Sequence, residues 1–213
     1  MNDAKKLFVL GAAGRTGRAV VERALENGSE VTAFCRASNP LKLEHPRLQI
    51  VAAKDPFEVS ALTEAAAGHH AVVCAVGAPG RDRSQVRTRV AEALKEALPA
   101  AGVNRLLVVS TFGASETRPQ LPWIMRWVIV PLLLGPGFQD HDGQEGVIRG
   151  MDLNWTLVRP PNLTDAPPTG RYRLNADLSD RTVWKISRAD LARAIVDMVD
   201  DPTHHRRAVF VSC

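Results

Sequence analysis

This chain is poor in the residues that several common chemistries need. It has one tyrosine and three cysteines among 213 residues, and aromatics make up 5% of it. The cysteines, Cys35, Cys74 and Cys213, form no C-x-x-C pair, so neither a zinc site nor a dithiol redox motif follows. Their odd number and lack of a pairing pattern suit a reducing cytoplasm. Cys35 and Cys74 sit in apolar runs, where a thiol behaves as a small hydrophobe. The start, MNDAKKLFVL, is too short an apolar stretch for a signal peptide and leads into a glycine turn. The formal net charge is +4, but lysine and arginine are scattered and stacking aromatics are few. That argues against a nucleic-acid partner. The pairs His69-His70 and His204-His205 read as surface residues, because sequence neighbours rarely point at one ion, and no metal site is expected.

What is present is more specific. Residues Gly11 to Ala19 read GAAGRTGRA, between the strand-like run Leu7-Phe8-Val9-Leu10 and a helical segment from Arg15 to Asn27. Gly11 and Gly14 carry no side chain to keep a phosphate from the backbone, and the following helix offers it a positive N-terminus. Gly17 lets that helix pack closely on the first strand. Strand, turn and helix in this order are the context that confirms a dinucleotide site. The second strand reads as Glu30 to Arg36. Its end lies about 20 residues past the turn, where a carboxylate would hold the ribose 2′-hydroxyl of NAD. Arg36 stands there instead, with Ser38 and Asn39 just after it. A guanidinium fits a 2′-phosphate, so the expected cofactor is NADP(H).

Strand-like and helix-like runs then alternate. Strands are expected at 48–51, 71–76, 106–109, 155–158 and 208–211. Helices are expected at about 57–67, opened by Asp55 as N-cap and Pro56, and at 84–101, 144–150 and 189–200. The rhythm predicts an α/β fold, a doubly wound parallel sheet of Rossmann type, in one domain over 1–213. Ligands in such sheets lie beyond the carboxyl ends of the strands. That rule selects Gly11 to Thr16, Arg36, Asp55 with Pro56, Ala75 to Ala78 with Val76 and Gly77 between them, Ser110 to Gly113, and Pro160 to Thr164. Substrate-side elements are expected from about 111–150 and 160–185.

The apolar stretch Leu121 to Leu134 is too short for a membrane span and is broken by Arg126 and Pro131. It reads as a buried helix, a lid over a pocket or a subunit contact. Trp123 and Trp127, four residues apart, would share one helical face and could wall a flat aromatic substrate.

The chain resembles the atypical short-chain dehydrogenase/reductase group of small NAD(P)H-binding proteins, and within it the flavin-reductase-like members. The likeness rests on GAAGRTGRAV, on Val31 to Arg36 and on Ala71 to Gly77. More particular are WTLVRPPNLTDAPPTGRYRL from Trp155 and KISRADLARAI from Lys185. The resemblance implies a monomer or homodimer that binds NADP(H). It implies that Gly11, Ala13, Gly14, Arg15 and Thr16 meet the pyrophosphate, Arg36 the 2′-phosphate, and Asp55 and Pro56 the adenine. By the same likeness Gly77, Ser110, His141 and Asn162 surround nicotinamide and substrate; Gly113 and Pro161, from the strand-end rule, are further substrate-side candidates. There are departures. Asn162 stands where the flavin-reductase-like members have histidine, and residues from about Val128 to Phe138 look inserted. The Tyr-x-x-x-Lys pair of typical members is missing, since Ala176 follows Tyr172 at the lysine's place.

A simple ketone would want a positioned acid, which that pair supplies elsewhere; a flavin or linear tetrapyrrole takes its proton from water. Ser110 is either a hydrogen-bonding partner of substrate or carboxamide, or a turn-capping serine. His141 is either the titratable group of the site or a solvated helix-start histidine. Asp190 reads as part of a helix cap. Three functions fit: an NADPH-dependent reductase of flavins, quinones or tetrapyrroles; a non-catalytic NADP-binding sensor; and an isomerase, epimerase or biosynthetic reductase acting on one metabolite.

Overall fold

A computed structural model describes residues 5–79, 81–177 and 184–213. The apolar runs form strands of a sheet covered by helices on both faces. In chain order the elements are β1 (Lys6–Leu10), α1 (Arg15–Glu26), β2 (Glu30–Arg36), β3 (Leu48–Ala53), α2 (Val59–Ala66), β4 (Ala71–Cys74), α3 (Val86–Ala100) and β5 (Arg105–Val109). After these come α4 (Gly135–Arg149), β6 (Asn154–Arg159), β7 (Asn162–Thr164), β8 (Arg173–Leu174), β9 (Lys185–Ser187), α5 (Arg188–Asp197) and β10 (Arg207–Ser212). The main sheet runs β3-β2-β1-β4-β5-β6-β10-β8, parallel throughout except for the antiparallel edge strand β8. β7 and β9 pair in parallel as a separate small sheet. This is the doubly wound fold that the strand–helix rhythm predicts.

Alternation along each strand divides the core in two. Leu7, Val9, Val31 and Ala33 pack with Val20 and Val21 of α1 and Leu191 and Ile195 of α5. Phe8, Leu10, Phe34 and Val72 face the other way, onto Leu62 of α2, Val90 and Leu94 of α3 and Ile148 of α4. The thiols of Cys35 and Cys74 are buried in strands, as expected.

Several boundaries differ from the sequence expectation, each for a local reason. β4 ends at Cys74 rather than residue 76, because Ala75 and Val76 turn beside the glycine loop, where the Ala75 N–H donates to the Leu10 carbonyl at 2.9 Å. Asp55 does not cap α2. Its carboxylate accepts the Phe57 N–H at 2.9 Å in a short turn, and the helix starts at Val59. α3 starts at Val86 because Gln85 takes a left-handed conformation, φ 51°. α4 starts at Gly135 rather than Gln144; its glycines hide a helix whose inner face carries Phe138, Asp140, Gln144 and Glu145. The three short strands β7, β8 and β9 show too little periodicity to be read in sequence. Leu121 to Leu134 is not a buried helix. Met125–Leu134 forms a π-helical segment in which only Val130 is buried.

Candidate functional site

The glycine turn after β1 leaves no room for larger residues. Gly11 adopts φ +81°, and a Cβ there would lie 2.9 Å from the Ala75 carbonyl and from the Val76 nitrogen. A Cβ on Gly17 would lie 2.2 Å from the Gly11 oxygen, so α1 rests directly on the turn. Gly14 precedes α1 in an extended conformation, no side chain caps the helix, and its first turn holds no acidic residue. The N–H groups of Arg15, Thr16 and Gly17 therefore have no acceptor inside the helix. Bare N–H groups at a positive helix end make a site for phosphate oxygens, and these residues fit an anionic dinucleotide. Ala13 and Thr16 are half-buried beside the turn, while Gly14 and Arg15 are exposed. Gly77 is exposed with open space around it, so packing does not demand glycine there.

Arg36 ends β2 at the carboxyl edge of the sheet, exposed, and its side chain makes no ion pair or hydrogen bond among the described residues. The Asn39 N–H closes a turn onto its carbonyl at 2.9 Å. Asp55 is exposed and Pro56 half-buried at the neighbouring strand end.

Across the switch in strand order lies a buried ionic network that the sequence does not announce. Ser110 follows β5 and is only 4% exposed. Its hydroxyl donates to Glu145 Oε1 of α4 at 2.6 Å. The Ser115 hydroxyl donates to Glu145 Oε2 at 2.8 Å. Arg159, the last residue of β6, donates from Nε to Glu145 Oε1 at 2.9 Å and from Nη2 to Oε2. Its Nη1 and Nη2 also reach Glu116 at 2.9 and 3.0 Å. Burial pushes the Glu145 carboxyl up, but the bonds from Arg159 and Ser110 prevail and hold it below the ordinary carboxylate range. Glu116 is drawn down to about 2, chiefly by its bonds from Arg159. The Ser110 proton is thus committed to an ionised carboxylate, and its oxygen is left as an acceptor.

His141 lies on α4 one turn before Glu145. Burial drives its ring down to about 3, and the nearby Arg87 guanidinium adds to the shift. Burial thus favours the neutral imidazole over the charged acid. Its neighbour Asp140 is 3% exposed and caps α3 from outside that helix, accepting the Arg87 N–H at 3.1 Å and the Thr88 N–H at 2.9 Å. Arg87 in turn donates to the Ala78 carbonyl at 3.0 Å, tying α4 to the loop after β4. Neither Asp140, Arg87, Glu145 nor Arg159 carries a sequence signal, because their pairing exists only once α4 crosses the strand ends.

The remaining candidates are dispersed. Gly113, φ +94°, is buried beneath the Leu121 side chain. Pro161 is half-buried, and Asn162 is exposed in β7. Trp123 is 69% exposed, so it does not wall an enclosed cavity. Trp127 instead borders an open groove of about 700 Å³ with Arg118, Val130 and Gln139. Tyr172 donates to Asp197 of α5 at 3.0 Å, and burial with that carboxylate raises it to about 12. Ser187 caps α5 by accepting the Asp190 N–H at 3.0 Å. Asp190 takes the Thr169 and Gly170 N–H groups at 2.9 Å each, so it is structural, as expected. His69 bonds Thr32 at 2.8 Å and His70 bonds Asp200 at 2.8 Å.

Glycine turn, bare helix end and sheet order together define a Rossmann-type dinucleotide-binding protein. Residues 11–202 match the model of an NAD(P)H-binding family, and the chain belongs to that family. The resemblance to the short-chain dehydrogenase/reductase group is in keeping with this. Over 177 residues the chain is 33% identical to an uncharacterized chloroplastic protein of Arabidopsis thaliana; the match covers 78% of this chain and spans 62% of that relative's length. Over 215 residues it is 30% identical to YwnB of Bacillus subtilis, covering 93% of this chain and 94% of YwnB. The fold is shared with ChuY, an anaerobillin reductase from Escherichia coli O157:H7, at a TM-score of 0.76 and 17% identity over 98% and 97% of the two chains. No helix among the described residues is long and apolar enough to cross a membrane.

Proposed function

We propose that the protein is an NADPH-dependent oxidoreductase that passes a hydride to a conjugated acceptor such as a flavin, a quinone or a linear tetrapyrrole. When bound, the dinucleotide supplies the hydride from its nicotinamide ring. The glycine turn and the N–H groups of Arg15, Thr16 and Gly17 would hold the pyrophosphate, and Arg36 the 2′-phosphate. Ala75, Val76 and Gly77 would line its path toward the nicotinamide end.

The observation that carries the choice of acceptor is that the hydroxyl at the end of β5, Ser110, is already directed at a buried carboxylate rather than at a substrate oxygen. The Ser110 hydroxyl donates to Glu145 and the Tyr172 hydroxyl to Asp197, while burial pushes the His141 ring down and makes it a poor acid. A simple ketone needs a proton delivered with the hydride, whereas an extended conjugated system spreads the charge and takes its proton from solvent. The likeness to an anaerobillin reductase points toward reduction as well. Ser110 Oγ, kept as an acceptor, suits an N–H of substrate or carboxamide.

A second reading, an NADPH-binding sensor without turnover, is favoured by the burial of Ser110. One assay separates the two. NADPH consumption is followed with FMN, riboflavin, menadione and biliverdin, with NADH as control. Turnover of at least one acceptor, faster with NADPH than with NADH, is expected. Tight NADPH binding with no turnover of any acceptor would sink the reductase and leave the sensor.

A further inference from the structure

A single carboxylate bridges two arginines at the phosphate end of the dinucleotide site. Arg15 is the first residue of α1 and Arg188 the first residue of α5. The two helices pack together through Val20, Val21, Leu191 and Ile195. Asp165 directly follows β7, and β9, its partner strand, runs straight into α5. Asp165 Oδ2 accepts from Arg15 Nη1 at 3.0 Å, and Oδ1 accepts from Arg188 Nη1 at 2.5 Å.

We propose that Arg188 is a second phosphate-binding arginine of the dinucleotide site, and that the Asp165 carboxylate holds it and Arg15 in place until the pyrophosphate displaces it. The inference rests on the dinucleotide reading above and assigns to it two residues beyond the glycine turn. Three features support it. Two oxygens of one anionic group, each taken by a different guanidinium, is an arrangement that pyrophosphate oxygens can take over. The Arg188 side chain is only 13% exposed, whereas those of Asp165 and Arg15 are 64% and 73% exposed. The inner cation is thus the more confined of the two, and the carboxylate and Arg15 face solvent, where an incoming anion can reach them. The Arg15–Asp165 pair, exposed on both sides, holds weakly, and the incoming group brings more negative charge, beside the bare N-terminus of α1.

The test compares a ligand that has the pyrophosphate with one that lacks it. Dissociation constants for NADP+ and for 2′-AMP are measured by calorimetry on the full chain, with Asp165→Asn and Arg188→Gln as variants. Releasing the internal competitor raises the competent fraction, so Asp165→Asn is expected to bind NADP+ about fivefold tighter. Arg188→Gln is expected to bind it about tenfold more weakly, as for a lost charge-assisted bond. Affinity for 2′-AMP stays within about twofold in both, since it reaches only the Arg36 end. Unchanged NADP+ affinity in Arg188→Gln, weaker binding in Asp165→Asn, or an equal change for 2′-AMP would overturn the proposal while leaving the dinucleotide site intact. A wild-type chain that binds neither ligand would instead overturn the dinucleotide reading, and this inference with it.

Discussion

Glu145 keeps its charge without any contact with solvent, because Ser110, Ser115 and Arg159 occupy its two oxygens. Stripping one partner from such a pair leaves an uncompensated buried charge, so the network constrains the fold as well as Ser110. His141, one turn away, shows the opposite outcome: with burial dominant and Arg87 close, the ring refuses its proton down to about 3. The sign of the linkage follows. A base with a depressed folded value is protonated in the unfolded chain first, so its contribution to folding declines as pH falls below 6.5, by at most about 1.4 kcal/mol per pH unit. Urea midpoints at pH 7.5, 6.0 and 5.0 are expected to fall more steeply for the wild type than for His141→Gln. Parallel curves would show that the ring titrates normally. At this scale the legible residues were those whose role depends on near neighbours in sequence. Gly11, Gly14, Gly17 and Arg36 belong to one strand–turn–helix–strand unit. The partnership of Ser110 with Glu145 and Arg159 depends on where α4 crosses the sheet, and no spacing in the chain encodes it.

The elements differ in how much freedom they leave a substitution. α1 meets the turn without a gap, and Gly17→Ala drives a methyl into the Gly11 carbonyl. It is expected to cost about 2 kcal/mol of stability and to abolish cofactor binding. Gly77→Ala places its methyl in open space, so stability should change by less than about 0.5 kcal/mol. If the dinucleotide passes close to the loop after β4, the same variant binds NADPH severalfold more weakly. Thermal unfolding of both variants, with a titration of NADPH, checks the pair; loss of stability in Gly77→Ala or none in Gly17→Ala would contradict this account. Long apolar runs made the strands of the main sheet readable. α4 is longer than its sequence suggests because Gly135, Gly137 and Gly143 contribute no hydrophobic signal, and β7 and β9, three residues each, carry too little pattern to show in sequence. The stretch at 121–134 has the composition of a core element, yet Trp123 remains exposed just before the π-helical segment and Trp127 and Leu132 remain exposed on it. Composition states the preference for burial, and topology decides whether a surface is there to satisfy it.

At the scale of the whole molecule, strand order reverses direction between β1 and β4, and the glycine turn and the loop after β4 meet there. That junction is where doubly wound sheets bind their ligands. One side offers bare helix N–H groups and the arginines Arg15, Arg36 and Arg188; the other offers the Ser110–Glu145–Arg159 network. The first suits an anionic dinucleotide; on the proposed function the second faces the acceptor. The doubly wound parallel sheet and the glycine turn could be anticipated from sequence, whereas the Ser110–Glu145–Arg159 network is a product of tertiary contacts. The most direct test of the account is the pair of dissociation constants for NADPH and NADH, measured on the wild type and on Arg36→Glu. The account predicts that the wild type prefers NADPH and that Arg36→Glu loses about tenfold or more for NADPH with little change for NADH. Equal losses for both, or a wild type without preference, would contradict it.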